Sequence, residues 1–250
     1  PLILYHKGPL DLNAQQGIAI VGTRKATAYG KAYAQELATF FAQRGFNVVS
    51  GLAYGIDAEA QRAVVKAGGK TTAVLAHGLD RIYPPQHYNL AQDILAAGGC
   101  WVSEHPSGTN PDAQNFPQRN RIIAGLARAT IVVEAAEKGG ALITAKLAFD
   151  DNREVYALPG HLDAPYSAGC NRLIRDSIAK LLTSPEEILE DLGWLEEANK
   201  PAAGPDGYRQ VSTPLTQPEQ RVLELLTREG AHLDALAERS KMPIGELTSV

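Results

Sequence analysis

The sequence predicts an α/β fold: an extended Rossmann-like, doubly wound, mostly parallel sheet, followed by a small C-terminal helix-turn-helix domain of truncated winged-helix type. Three observations predict it. From residue 17 onward short apolar runs alternate with helical patterns, and each run is flanked by turn residues, as strands buried on both faces of a parallel sheet read. The loops that follow those runs are rich in Gly, Arg, Lys, His and Thr. After Leu192 the text changes to a stretch rich in Pro and Gly, then to short helical patterns.

Taken in order, 18–21 is an apolar strand, and 29–44 is a helix because Tyr33, Leu37, Phe40, Phe41 and Arg44 recur at helical spacing. The strand 47–50 runs into the turn Gly51-Leu52-Ala53-Tyr54-Gly55, whose glycines permit a tight bend, and Asp57 is expected to cap the helix 57–67. The pattern continues with strand 71–75, helix 87–97, strand 100–103, helix 118–126, strand 130–134, helix 141–151 and strand 154–158. This unit is expected to fill 1–197, with a linker at 198–216 and a partial winged-helix-like domain at 217–250. Within that domain helices are expected at 219–228 and 233–240, with Leu236 and Ala237 buried, and Pro243 opening a third helix at Ile244.

A chain of 250 residues with 44% hydrophobic content can build a real core. The net charge of −4 is unevenly spread: residues 1–183 hold 18 Lys and Arg against 15 Asp and Glu, whereas 184–250 hold 6 against 13. The acidity belongs to the tail, which leaves room for a local basic site on the first unit. Cys100 and Cys170 stand far apart and form neither a zinc pattern nor a disulfide framework, so buried thiols in a reducing cytoplasm are expected. No leader and no apolar run of ~18 residues is visible, so a soluble protein is expected. The chain starts at Pro1 and stops within a helical pattern, which reads as part of a longer protein.

In a doubly wound sheet the loops at the carboxyl ends of the strands converge on one crest. Here that crest carries Gly22-Thr23-Arg24 and the turn Phe116-Pro117-Gln118-Arg119-Asn120-Arg121, both expected at helix starts, where arginines add to an existing positive potential unless an anion binds. Gly68-Gly69-Lys70-Thr71 is no P-loop, because it leads out of a helix into a strand and lacks the first glycine of that pattern. No G-x-G-x-x-G follows the first strand; Arg24 in place of the second glycine suits a single phosphate rather than a dinucleotide. No cofactor is expected. His77, His105 and His161 have no ligand-spaced partner, so no metal is expected either. Glu104 and Glu134 end strands and are expected to pair with Arg119 and Arg121. Phe116 is either a surface on which a base stacks or a staple against Ile122 or Ile123.

These loops closely resemble the DNA processing protein A family (DprA, also called Smf). The resemblance is carried by Val21-Gly22-Thr23-Arg24, Ser50-Gly51-Leu52-Ala53-Tyr54-Gly55-Ile56-Asp57, Gly69-Lys70-Thr71-Thr72, Tyr83-Pro84, Ser103-Glu104, the Phe116 to Leu126 block, Leu142-Ile143-Thr144-Ala145 and Leu158-Pro159-Gly160. It implies a non-enzymatic homodimer of natural transformation that binds single-stranded DNA, in concert with single-strand-binding protein, and loads RecA. By the same match Gly22, Thr23, Arg24, Gly51, Gly55, Lys70, Arg119, Asn120, Arg121, Gly140 and Thr144 would meet the DNA backbone. Leu173, Ile174 and Ile178 would lie at the dimer contact. The chain departs from the family pattern at Gln61, at Lys138-Gly139-Gly140-Ala141 and at Arg175-Asp176-Ser177. Two rivals stand beside this reading: a nucleoside-monophosphate phosphoribohydrolase of the lysine-decarboxylase-like group using Glu134, and a duplex-specific transcription factor working through the tail.

Overall fold

The computed structural model of the protein describes residues 1–10, 17–195 and 233–243. It divides into two compact units, Pro1–Ala202 and Ala203–Val250. In the second, a helix at Leu233–Ser240 falls where the pattern predicts one, with Ala237 half-buried rather than buried. The predicted linker at 198–216, the helix at 219–228 and the helix start at Ile244 lie outside the described residues.

The first unit contains eight described strands, β1 (Tyr5–Lys7), β2 (Gly17–Val21), β3 (Asn47–Ser50), β4 (Thr71–Leu75), β5 (Cys100–Ser103), β6 (Ala129–Val132), β7 (Glu154–Ala157) and β8 (Lys180–Leu181). They form one sheet in the order β1-β5-β4-β3-β2-β6-β7-β8. All pairings are parallel except that of β1 with β5. Helices α1 (Ala28–Gln43), α2 (Ile56–Lys66), α3 (Tyr88–Ala96), α4 (Asn115–Gly125), α5 (Gly140–Asp150), α6 (Ala168–Arg175) and α7 (Glu186–Asp191) connect or follow the strands.

Successive residues of a strand point to opposite faces. Ile18 and Ile20 of β2 pack with Leu37 and Phe41 of α1, Val64 of α2 and Ile188 of α7. Ala19 and Val21 pack with Ile122 and Ile123 of α4, Ala145 of α5 and Leu173 of α6. The chain therefore winds outward from β2 on one face, crosses over through α4, and winds the other way from β6 on the other face. Between β2 and β6 the direction of winding reverses, and in open α/β sheets that is where a crevice forms at the carboxyl edge.

The prediction lacks β1, β8, α6 and α7, and it differs from the structure in further details. In α1 the buried stripe is Gly30, Ala34, Leu37, Ala38, Phe41 and Ala42, with Tyr33 exposed, so of the expected recurring residues only Leu37 and Phe41 are buried against the sheet. Helix α4 begins at Asn115, which puts Arg119 and Arg121 in its second turn instead of at its start. Asp57 is not the cap of α2; Gly55 holds that position, and Asp57 sits in the first turn, where its Oδ2 accepts from the Gly51 N–H at 3.0 Å. Leu173 is buried in the core of the first unit, with the partly buried Ile174 and Ile178 packed against that core, because α6 covers the sheet.

Candidate functional site

A cleft of about 510 Å³ opens at the carboxyl edge of the sheet, lined from the loops after β2, β3 and β6 and the start of α4. Its floor is a set of close backbone approaches. A Cβ on Gly22 would come within 2.5 Å of the Ile56 side chain, and Gly55 has φ of +75° with its α-carbon against the Thr23 carbonyl. The Thr23 N–H donates to the Glu134 carbonyl at 2.7 Å, and the Ile56 N–H donates to the Thr23 carbonyl at 3.2 Å. Glycine is required at 22 because a Cβ would overlap the Ile56 side chain, and at 55 because a positive φ brings its backbone against that of Thr23 and Arg24.

At the mouth, Arg24 is exposed with its guanidinium 5.2 Å from the centroid of the Phe116 ring. The Phe116 ring lies 5.7 Å from that of Tyr83, which is also exposed. Phe116 is half-buried on the cleft wall and does not stack into the core, so a flat aromatic face and a fork of donors stand side by side. Also lining the cleft, α5 begins with Gly139 in extended conformation and no side-chain cap, and the exposed Lys138 precedes it. A helix start without a cap leaves N–H groups and a partial positive charge available. Thr144 is buried one turn in, its hydroxyl donating to the Gly140 carbonyl at 3.4 Å.

Arg119 is only 5% exposed. Its Nη1 donates to the carbonyls of Gly51, at 2.9 Å, and of Val74; its Nε donates to Asn120 Oδ1 at 3.2 Å. The amide of Asn120 donates in turn to the Gly140 carbonyl at 3.2 Å. Burial draws the Arg119 pKa down to about 10 despite the opposing charge of Asp57, so the guanidinium stays ionised near neutral pH. Burial likewise pushes the Asp57 carboxyl upward, against the pull of Arg119 and the Gly51 N–H. Each is the other's counter-charge in a dry place.

The structure brings Gly22, Thr23, Arg24, Phe116, Arg119, Asn120, Gly140 and Thr144 to this cleft, with Gly51 and Gly55 in the turn beneath. It does not bring Lys70 there: Lys70 precedes β4, at the amino edge of the sheet, with its Cε beside Gly98 just before β5. Arg121 is partly exposed and pairs with Glu104, as expected. Glu134 pairs with no arginine among the described residues; its Oε2 accepts from the Thr27 N–H at 2.9 Å and its Oε1 from the Thr27 hydroxyl at 2.6 Å, so it completes the cap of α1. The positive start of α1 is therefore answered by the protein itself. The N–H groups of Gly51 and Thr23 are engaged by Asp57 and Glu134. Tyr83 and Lys138 are cleft residues that the prediction left out of the site, although Lys138 stood out as a departure.

Comparison with known proteins gives a consistent picture. The family model of DNA recombination-mediator protein A matches residues 1–193, and that of the DprA winged helix domain matches 207–250. Protein Smf of Escherichia coli is 39% identical over 253 residues, which covers all of this chain and 66% of that protein. DNA processing protein DprA of Bacillus subtilis is 45% identical over 193 residues, 77% of this chain and 64% of that one. Among solved structures, DNA processing protein A of Streptococcus pneumoniae superposes with a TM-score of 0.69 at 40% identity, covering 75% of this chain and 65% of that one. The Helicobacter pylori protein, whose structure addresses a unique single-stranded DNA binding mode, also gives 0.69, at 30% identity, over 76% of this chain and 86% of that one. The chain spans about two thirds of the length of the curated relatives it matches.

Proposed function

The chain belongs to the DNA recombination-mediator protein A (DprA) family, and from that premise we propose that its cleft binds the backbone of single-stranded DNA. The observation that carries the reading is Arg24 over the Phe116 ring, itself beside Tyr83, at the mouth of a switch-point cleft that the uncapped start of α5 also lines. A guanidinium and free N–H groups suit phosphate oxygens, and an exposed ring beside them gives an unpaired base a face to stack on. Duplex DNA keeps its bases stacked inside and cannot use that ring, so single strands are favoured. In this reading Arg24, Lys138 and the α5 start meet phosphates, Phe116 and Tyr83 meet a base, and Gly22, Gly51 and Gly55 shape the floor.

The family role extends the proposal: the protein acts without catalysis, in the cytoplasm, as a homodimer that takes single strands in the presence of single-strand-binding protein and passes them to RecA. Ile174 and Ile178 are the half-buried residues of α6 and its following turn that such a dimer could share. A base-releasing hydrolase is not favoured, since both oxygens of Glu134 are engaged at the cap of α1.

The experiment is a titration of fluorescent oligo-dT, and of the matching duplex, with wild type and Arg24→Ala across a salt series. Log affinity is expected to fall against log salt with a slope of about −0.7 per phosphate contact, the single strand binding more tightly than the duplex. Arg24→Ala should make the slope shallower by about one such step. A flat salt profile, or unchanged binding by Arg24→Ala, would move the site elsewhere.

A further inference from the structure

We propose that Arg119 is a positioning residue, a buried guanidinium that holds three loops of the cleft in register without itself neutralising a phosphate. The inference rests on the reading of the cleft as the DNA site, and it differs from the role that the Arg-Asn-Arg motif suggests for this side chain.

The geometry is that of a hub. One nitrogen reaches the carbonyls of Gly51, in the turn after β3, and of Val74, near the end of β4. Nε reaches Asn120, whose own amide reaches Gly140 at the start of α5. Arg119 thus joins the β3 turn and the end of β4 directly, and the start of α5 through its neighbour. Asp57 fastens the same turn from the other side by accepting the Gly51 N–H. The remaining nitrogen, Nη2, lies against Gly51, where a Cβ would come within 2.6 Å of it, so the residue at 51 is glycine to seat the guanidinium.

Two physical arguments follow. A planar fork with donors in fixed directions can satisfy two carbonyls and an amide oxygen at once, and lysine cannot. The N–H groups of Nη1 and Nε are spent on protein oxygens and the side chain is only 5% exposed, so little of the guanidinium is left to meet a phosphate. Arg24, exposed at the mouth, has no such partner among the described residues.

The test uses the full chain with three variants: Arg119→Lys, which keeps the charge and loses the fork; the charge-neutral pair Asp57→Asn with Arg119→Gln; and Arg24→Ala as comparator. Oligo-dT affinity is measured across a salt series. Hydrogen exchange of segments 51–57 and 138–141 is measured without DNA, and thermal melting establishes that each variant is folded. Both Arg119 variants are expected to bind about tenfold more weakly, as when loops must be ordered on binding. Their salt slope should match wild type, and exchange should quicken in both segments. Arg24→Ala should flatten the slope by about 0.7 and leave exchange alone. The proposal is overturned if Arg119→Lys binds as wild type, if the neutral pair flattens the slope as Arg24→Ala does, or if exchange in the two segments is unchanged. Should wild type bind no single strand, the reading of the site falls, and the exchange measurement still decides whether Arg119 holds these loops.

Discussion

Glu134 is 3% exposed, and its carboxylate supplies the negative charge that the start of α1 calls for. Gly30, in the first turn of α1, makes this possible, because a Cβ there would overlap the carboxylate. Gly30→Ala is expected to destabilise the fold by about 1–3 kcal/mol, read as a lower urea midpoint at unchanged slope; an unmoved midpoint would mean that the carboxylate has room to shift. His77 offers a second test. Its ring is buried with Nδ1 bonded to the Gly78 carbonyl at 2.9 Å and Nε2 unpartnered, and burial holds its pKa below the usual value. The folded ring stays neutral while the unfolded ring takes a proton below about pH 6.5, so its contribution is complete above that pH. It is lost as the pH falls from there toward the lowered folded-state value. Melting temperatures of wild type should fall between pH 7 and pH 5 more steeply than those of His77→Gln; parallel curves would assign the acid sensitivity elsewhere.

Helix α1 is fastened at its start by Thr27, whose hydroxyl accepts from the Gly30 N–H at 3.2 Å while donating to Glu134. Thr27→Ala removes both links and should cost about 0.5–2 kcal/mol, measured by chemical unfolding. Helix α7 is fastened differently. Ile188 and Leu189 are buried, Trp194 beyond its end stacks on Phe46 at 5.2 Å, and Asp191 accepts from Tyr156 and Lys180 at 2.7 Å each. Ile188→Ala is expected to cost about 2–5 kcal/mol; a loss well below that would show that α7 packs as an accessory rather than as part of the core. Elements of this kind leave little trace in the sequence. β1, β8, α6 and α7 are short, so their periodicity is too brief to stand out, and it is packing against longer neighbours that stabilises them.

At the scale of the molecule, every residue lining the cleft belongs to the unit Pro1–Ala202. Removing 203–250 is therefore expected to leave the affinity for oligo-dT and its salt slope within about twofold of the full chain; loss of binding would make the tail part of the DNA site. The alternation of strand and helix and the glycine turns were legible in the sequence, because periodicity and turn chemistry act over a few residues. Even the place of Lys70 was legible, since a residue that precedes a parallel strand stands at the opposite edge from one that follows it. Only the tertiary structure decided that β2 and β6 are neighbours and so where the cleft opens. It also decided that Arg24 is exposed while Arg119 is buried, and that Glu134 serves α1 rather than an arginine. These outcomes depend on which distant segments pack against each side chain, and burial, field and hydrogen-bond partner are set by those non-local contacts, not by local sequence.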